Sequence, residues 1–207
     1  AVTDSGCSDT LARTVLSKEN PNPGFTTLSE CAGDPVTFQD ISTMATSTIT
    51  RIDYDFGNDG VFDATNINPG ATVQRTFNDT GRITVRIQAT ANNGCVSDSV
   101  NQVFINPKPD PGFTASEACE GDATFFSDTT TISRGQITSV AFDFNNDGIF
   151  DQTGLAAGAT VSFEFGAAGQ KNVGLRATSD AGCTTTIVEQ FGINKTVTVD
   201  PNPDPDF

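Results

Sequence analysis

Asp55-Phe56-Gly57-Asn58-Asp59-Gly60-Val61-Phe62-Asp63 is an acidic turn set between aromatic residues. It returns as Asp143-Phe144-Asn145-Asn146-Asp147-Gly148-Ile149-Phe150-Asp151, 88 residues on (143 − 55 = 88). Asn-Asp-Gly is a strong tight-turn signal, because Gly takes positive φ without steric cost. A β-hairpin here would place Tyr54, Phe56 and Phe62 in a core.

The same offset recurs along the chain. Cys31 returns as Cys119, and Cys7, Cys95 and Cys183 form a second series, each after a Gly. Pro23-Gly24-Phe25-Thr26 returns as Pro111-Gly112-Phe113-Thr114. Phe38, Phe62, Phe77, Gly81 and Val85 return as Phe126, Phe150, Phe165, Gly169 and Val173. A fixed offset at so many positions marks internal repeats. Two full repeats are read at 21–108 and 109–200. Residues 1–20 align with the last strand of a preceding repeat, and 201–207 open a following one. The partial strand at 1–20 is also a candidate for exchange with another molecule, which would make the chain self-polymerising.

Prolines alternate at each junction, as in Asn106-Pro107-Lys108-Pro109-Asp110-Pro111. Such runs favour extended polyproline geometry and act as semi-rigid spacers. An elongated array is expected. Lys195-Thr196-Val197-Thr198-Val199 reads as an addition that lengthens the last strand of the second repeat.

Inside each repeat the hydrophobic period is two. Ile83, Val85, Ile87 and Ala89 share one face of a strand, while Arg82, Thr84, Arg86 and Gln88 share the other. Asn172-Val173-Gly174-Leu175-Arg176-Ala177 is the twin of that strand. This is the pattern of a half-buried antiparallel strand. Short strands between Gly, Asn-Asp and Pro turns, in units of about 90 residues, read as β-sandwiches. The 16 Phe read as core filler, and there is no Trp to build a sugar-stacking face.

Composition excludes several functions. With 11 basic and 26 acidic residues the net charge is −15, which opposes nucleic acid and anionic membrane surfaces. There is no His, which removes Ser-His-Asp and Cys-His catalysis and His-ligated zinc. No apolar run reaches the length of a membrane span.

Cys31 and Cys95 are 64 residues apart, as are Cys119 and Cys183. The repeated spacing predicts one disulfide within each repeat, Cys31–Cys95 and Cys119–Cys183, and an oxidising compartment. Cys7 then remains as a free thiol.

Each repeat resembles a PKD domain, an Ig-like β-sandwich. The likeness rests on Pro35-Val36-Thr37-Phe38-Gln39-Asp40, Tyr54-Asp55-Phe56-Gly57-Asn58-Asp59-Gly60, Thr76-Phe77 with Gly81-Arg82-Ile83-Thr84-Val85-Arg86-Ile87, and the Gly94-Cys95 ending. The chain departs from the family at the aromatic that opens the hallmark turn, with Tyr54 and Phe142 in place of Trp. One residue is inserted before Asp59 and Asp147, and Asn145 replaces the first Gly of the second copy. The resemblance implies an all-β chain of two tandem Ig-like (PKD-type) β-sandwiches, similar to arrays in bacterial surface proteins of the Bacteroidetes type.

The acidic turn also resembles a calcium loop. Asp143, Asn145, Asp147, Gly148 and Asp151 occupy ligand and turn positions 1, 3, 5, 6 and 9 of an oxygen-rich cation loop. The first copy keeps Asp55, Asp59, Gly60 and Asp63 but has Gly57 at the third position. Neither copy has a Glu at position 12, where Asn66 and Gly154 stand. A plain hairpin and a calcium site, better formed in the second repeat, are both open on sequence.

Asn78-Asp79-Thr80 and Asn194-Lys195-Thr196 match the N-glycosylation pattern. Asp9-Thr10-Leu11, Asp98-Ser99-Val100 and Asp128-Thr129-Thr130 resemble a Bacteroidetes O-glycosylation pattern. The expected function is a non-catalytic extracellular structural or adhesion array, acting as a semi-rigid stalk or surface fibre. Its expected partners are neighbouring repeats. The alternative is a glycan- or protein-binding accessory module of a secreted hydrolase.

Overall fold

The computed structural model describes residues 11, 13, 14, 17–187 and 195–203. Cys7, most of the expected strand at 1–20, Asn194 and residues 204–207 lie outside the described residues.

The chain is all-β. In the first repeat β1 is Phe25–Leu28, β2 Pro35–Asp40, β3 Ile49–Asp55, β4 Ala64–Ile67, β5 Thr72–Thr76, β6 Gly81–Ala91 and β7 Val96–Ile105. In the second, β8 is Phe113–Ala115, β9 Ala123–Asp128, β10 Ile137–Asp143, β11 Gln152–Leu155, β12 Thr160–Glu164, β13 Gly169–Ser179, β14 Thr184–Thr186 and β15 Lys195–Val199. Each repeat builds one three-stranded and one larger sheet. The orders are β1-β2-β5 with β4-β3-β6-β7, and β8-β9-β12 with β11-β10-β13-β14, where β15 also pairs with β13.

Register repeats as closely as sequence does. Ile52↔Ala89 and Tyr54↔Ile87 in the first repeat correspond to Val140↔Ala177 and Phe142↔Leu175 in the second. Even the irregularity recurs, between Ile49 and Arg51 and between Ile137 and Ser139. A one-residue slip would turn every core residue to solvent, so the period-two pattern holds both copies in one register.

One difference corrects an expectation. Lys195–Val199 does not extend β14. It pairs with the opposite end of β13, Gly169↔Val199 to Val173↔Lys195, while β14 pairs at Arg176↔Thr186 to Thr178↔Thr184. β15 therefore stands where the second half of β7 stands in the first repeat. The added residues fall between β14 and β15.

The chain divides into two compact units, Ala1–Thr26, Gln39–Thr72 and Thr84–Asn101 in one, and Thr27–Phe38, Val73–Ile83 and Gln102–Phe207 in the other. In the first, Ile52, Tyr54, Val85, Ile87 and Ala89 are fully buried. Tyr54 stacks on Phe56 at 5.5 Å and receives the edge of Phe25 at 6.0 Å. In the second, Phe126 lies among Phe113, Phe142, Phe144 and Phe165, with ring centroids 4.9–6.3 Å away. Tilted and edge-on rings at these spacings are the favoured aromatic geometry. Phe62 and Phe150 are only half-buried. They lie beneath Arg86 and Arg176, at 5.0 and 4.3 Å, rather than in the core.

Candidate functional site: acidic turns and cysteine corners

The acidic turns close on themselves. Asp55 ends β3, is fully buried, and accepts hydrogen bonds from the backbone N–H of Gly57 (3.3 Å), Asp59 (3.2 Å) and Gly60 (3.0 Å). Asp63 accepts from Phe56 N (2.7 Å), and Asp59 from Val61 N (2.9 Å). Burial pushes the Asp55 carboxyl up, but the backbone donors outweigh it and hold the group below its ordinary value. Gly60, at φ +93°, takes the conformation that aims its N–H at Asp55 and that residues with a Cβ rarely adopt.

The second turn has the same frame. Asp143 accepts from Asp147 N (3.3 Å) and Gly148 N (2.9 Å), and Asp151 from Phe144 N (2.7 Å). Asn145 accepts from Asp147 N (3.1 Å) and donates through Nδ2 to Asp147 Oδ2 (3.0 Å). Asp147 also accepts from Ile149 N (2.7 Å).

These carboxylates cap the turn, and their oxygens face N–H groups. A hard cation needs six or more oxygens converging on one point. Among the described residues, no group of three or more Asp, Glu, Cys or His side chains is placed to hold a metal ion. In this geometry the turn oxygens accept from backbone N–H groups.

A second pair of carboxylates, Asp40 and Asp128, has a role that the sequence reading does not assign. Asp40, buried at the end of β2, accepts from Ser42 N (3.0 Å), Ser42 Oγ (2.5 Å) and Gly70 N (2.7 Å). Asp128 does the same with Thr130 N (3.1 Å), Thr130 Oγ1 (2.5 Å) and Gly158 N (2.8 Å). Each clamps the loop that leads into the partner strand, β5 or β12. The signal was available as Asp-x-Ser/Thr at the repeat offset, a local side-chain turn.

The cysteines overturn the predicted pairing. Among the described residues one disulfide forms, Cys31–Cys183, with Cα atoms 5.6 Å apart and a sequence separation of 152. Cys95 and Cys119 are free thiols, both half-buried. Strand length explains why. Cys119 bridges Asp200, just beyond β15. Cys183 closes the hairpin at the far end of β13, where Ser179 N donates to its carbonyl (2.9 Å). The 11 residues of β13 lie between these ends, roughly 35 Å at the rise of a strand, while a disulfide needs Cα atoms within about 7 Å. In the first repeat, Cys31 bridges Asn106 just after β7, while Cys95 directly precedes β7. Neither repeat can close its own pair.

No family model and no curated protein matches the chain. Among solved structures it is similar to the fibronectin(III)-like modules of Clostridium thermocellum CbhA, at 16% identity over 86% of this chain and 95% of that chain, with a TM-score of 0.46. It is similar to the PKD1 domain of Vibrio anguillarum Epp, at 16% identity over 43% of this chain and 96% of that chain, TM-score 0.36. Carbohydrate-binding modules of the β-sandwich superfamily align at 13% identity over 83% and 96%, TM-score 0.39. At this identity such likenesses say nothing about ligand or activity.

Proposed function

We propose that the chain is a non-catalytic structural module of an extracellular array, carrying load between the segments on either side of it. The observation that supports this most is the Cys31–Cys183 bond. Every residue from β2 through β13 lies between the two cysteines. Tension applied at the chain ends crosses the sulfur–sulfur bond and bypasses that whole segment. About 500 Å of extended chain (152 residues at roughly 3.3–3.6 Å each) is withheld from extension. A bond of this kind also belongs to an oxidising compartment. The carboxylates of the two turns accept from backbone N–H groups, and the sequence has no His.

Single-molecule extension tests the proposal. The oxidised chain is expected to lengthen by about 500 Å less than the same chain in reductant. Equal extension in both states would contradict it.

A further inference from the structure

Each free thiol occupies a corner that shares three backbone hydrogen bonds with its bonded counterpart. At the Cys31 corner, Ala32 N donates to Asn106 O (2.9 Å), Asn106 N to Glu30 O (2.7 Å) and Gly33 N to Phe77 O (2.8 Å). At the Cys119 corner, Glu120 N donates to Asp200 O (2.9 Å), Asp200 N to Ala118 O (3.0 Å) and Gly121 N to Phe165 O (2.9 Å). The other type agrees as well. Ser179 N donates to Cys183 O, Gly182 N to Ser179 O and Asp180 N to Gln136 O, each at 2.9 Å. Ala91 N donates to Cys95 O (2.9 Å), Gly94 N to Ala91 O (3.0 Å) and Asn92 N to Thr48 O (3.0 Å).

The junction segments recur at these corners too. Lys108 Nζ binds Asp34 beside Cys31 (2.6 Å), and Asn202 Nδ2 binds Glu120 O beside Cys119 (3.2 Å). Before the first repeat, Lys18 Nζ binds Asn93 O (2.6 Å) and Asn93 Nδ2 binds Glu19 O (3.0 Å), two residues from Cys95.

We infer that Cys119 and Cys95 are the open halves of the same bond that joins Cys31 to Cys183, each completed by a further copy of this repeat. Cys119 takes the Gly-Cys corner of a repeat that follows. Cys95 takes the Cys31-type corner of a repeat that precedes. Each bond forms by exchange with a small disulfide oxidant such as oxidised glutathione. Two thiols are consumed, one sulfur–sulfur bond forms, and two reduced glutathione molecules leave with the protons and electrons. The product is a ladder in which every repeat is covalently tied to the next.

The test extends the chain beyond Phe207 with a second copy of residues 114–200 that itself carries C119S and A181V, so that its Gly-Cys peptide has a mass of its own; Pro201–Phe207 repeats the pattern of Pro107–Phe113 and supplies the junction. After refolding in a glutathione buffer, thiols are alkylated and disulfide peptides mapped. Cys31–Cys183 reports that the parent chain has folded. The expected result is a bond between Cys119 and the appended Gly-Cys corner, with Cys95 alkylated. C119S in the parent repeat as well should leave the appended corner cysteine alkylatable. A Cys119–Cys183 bond, or a Cys119 still open to alkylation beside an intact Cys31–Cys183, overturns the inference. A second arm uses the unextended chain with C7S at high concentration. Oxidised dimers should join Cys119 of one copy to Cys95 of another, vanish in C95S or C119S alone, and return when those two variants are mixed. Dimers that persist in either single variant overturn it as well. The disulfide map decides this independently of the force measurement.

Discussion

Cys31 is bonded to Cys183, in the next repeat, rather than to Cys95 in its own, and the bond encloses a separation of 152 residues. Closing so long a loop restricts the unfolded chain strongly. In the chain-entropy relation a loop of this size is worth about 5 kcal/mol. C31S and C183S should each lower the unfolding free energy by up to that amount in denaturant titrations. C95S and C119S remove free, half-buried thiols and should cost within about 0.5 kcal/mol, as surface substitutions do.

Asp55 should give the first turn an acid dependence. Its carboxyl is held below its ordinary value by backbone donors that exceed the opposing effect of burial. A group whose folded pKa is depressed contributes stability that is complete above the unfolded value, about 4. That contribution is lost as pH falls through the lower, folded value. D55N should remove this part of the acid dependence. At neutral pH it should cost about 1.5–3 kcal/mol, the range for hydrogen bonds to a charged group. Parallel thermal melts of the two proteins between neutral and acid pH check both statements.

Calcium should leave the protein unchanged. The oxygens of Asp55, Asp143 and Asp151 face N–H groups at 2.7–3.3 Å, and binding a cation would require those bonds to open. Melting temperatures in calcium and in EDTA are expected to coincide. A saturable rise with calcium, lost in D143N, would show that the second turn rearranges around the ion.

Phe126 is the ring most surrounded by others in the second repeat, with four aromatic neighbours and no exposed surface. F126A should cost about 3–5 kcal/mol through lost burial and the cavity left behind. F125A, one residue away on a side chain 56% exposed, should be nearly neutral. Chemical denaturation of the two variants separates the faces of β9.

Much of the architecture was legible in the sequence. The alternation through Ile83, Val85, Ile87 and Ala89 placed β6 and its buried face, and the 88-residue offset carried the same strand to β13. The turn at Asn58-Asp59-Gly60 was legible from Gly chemistry, which acts locally. The cysteine partners were not. A spacing of 64 records distance along the chain, whereas pairing depends on which end of a 10- or 11-residue strand each cysteine occupies. That required the neighbours of Cys31 and Cys119, Asn106 and Asp200, which only the folded topology supplies. The calcium pattern left the roles of its oxygens open for a related reason. It counts oxygens, and their use as caps for Gly60 N and Gly148 N appears only in three dimensions. The place of the added residues was hidden because Lys195–Val199 has the strand pattern of the segment it replaces.

The central claim, that the bond joins successive repeats, is tested most directly by mapping disulfides in the intact oxidised chain by mass spectrometry after blocking free thiols. The map should show a Cys31–Cys183 peptide, with alkylated Cys95 and Cys119. Peptides joining Cys31 to Cys95 and Cys119 to Cys183 would contradict it.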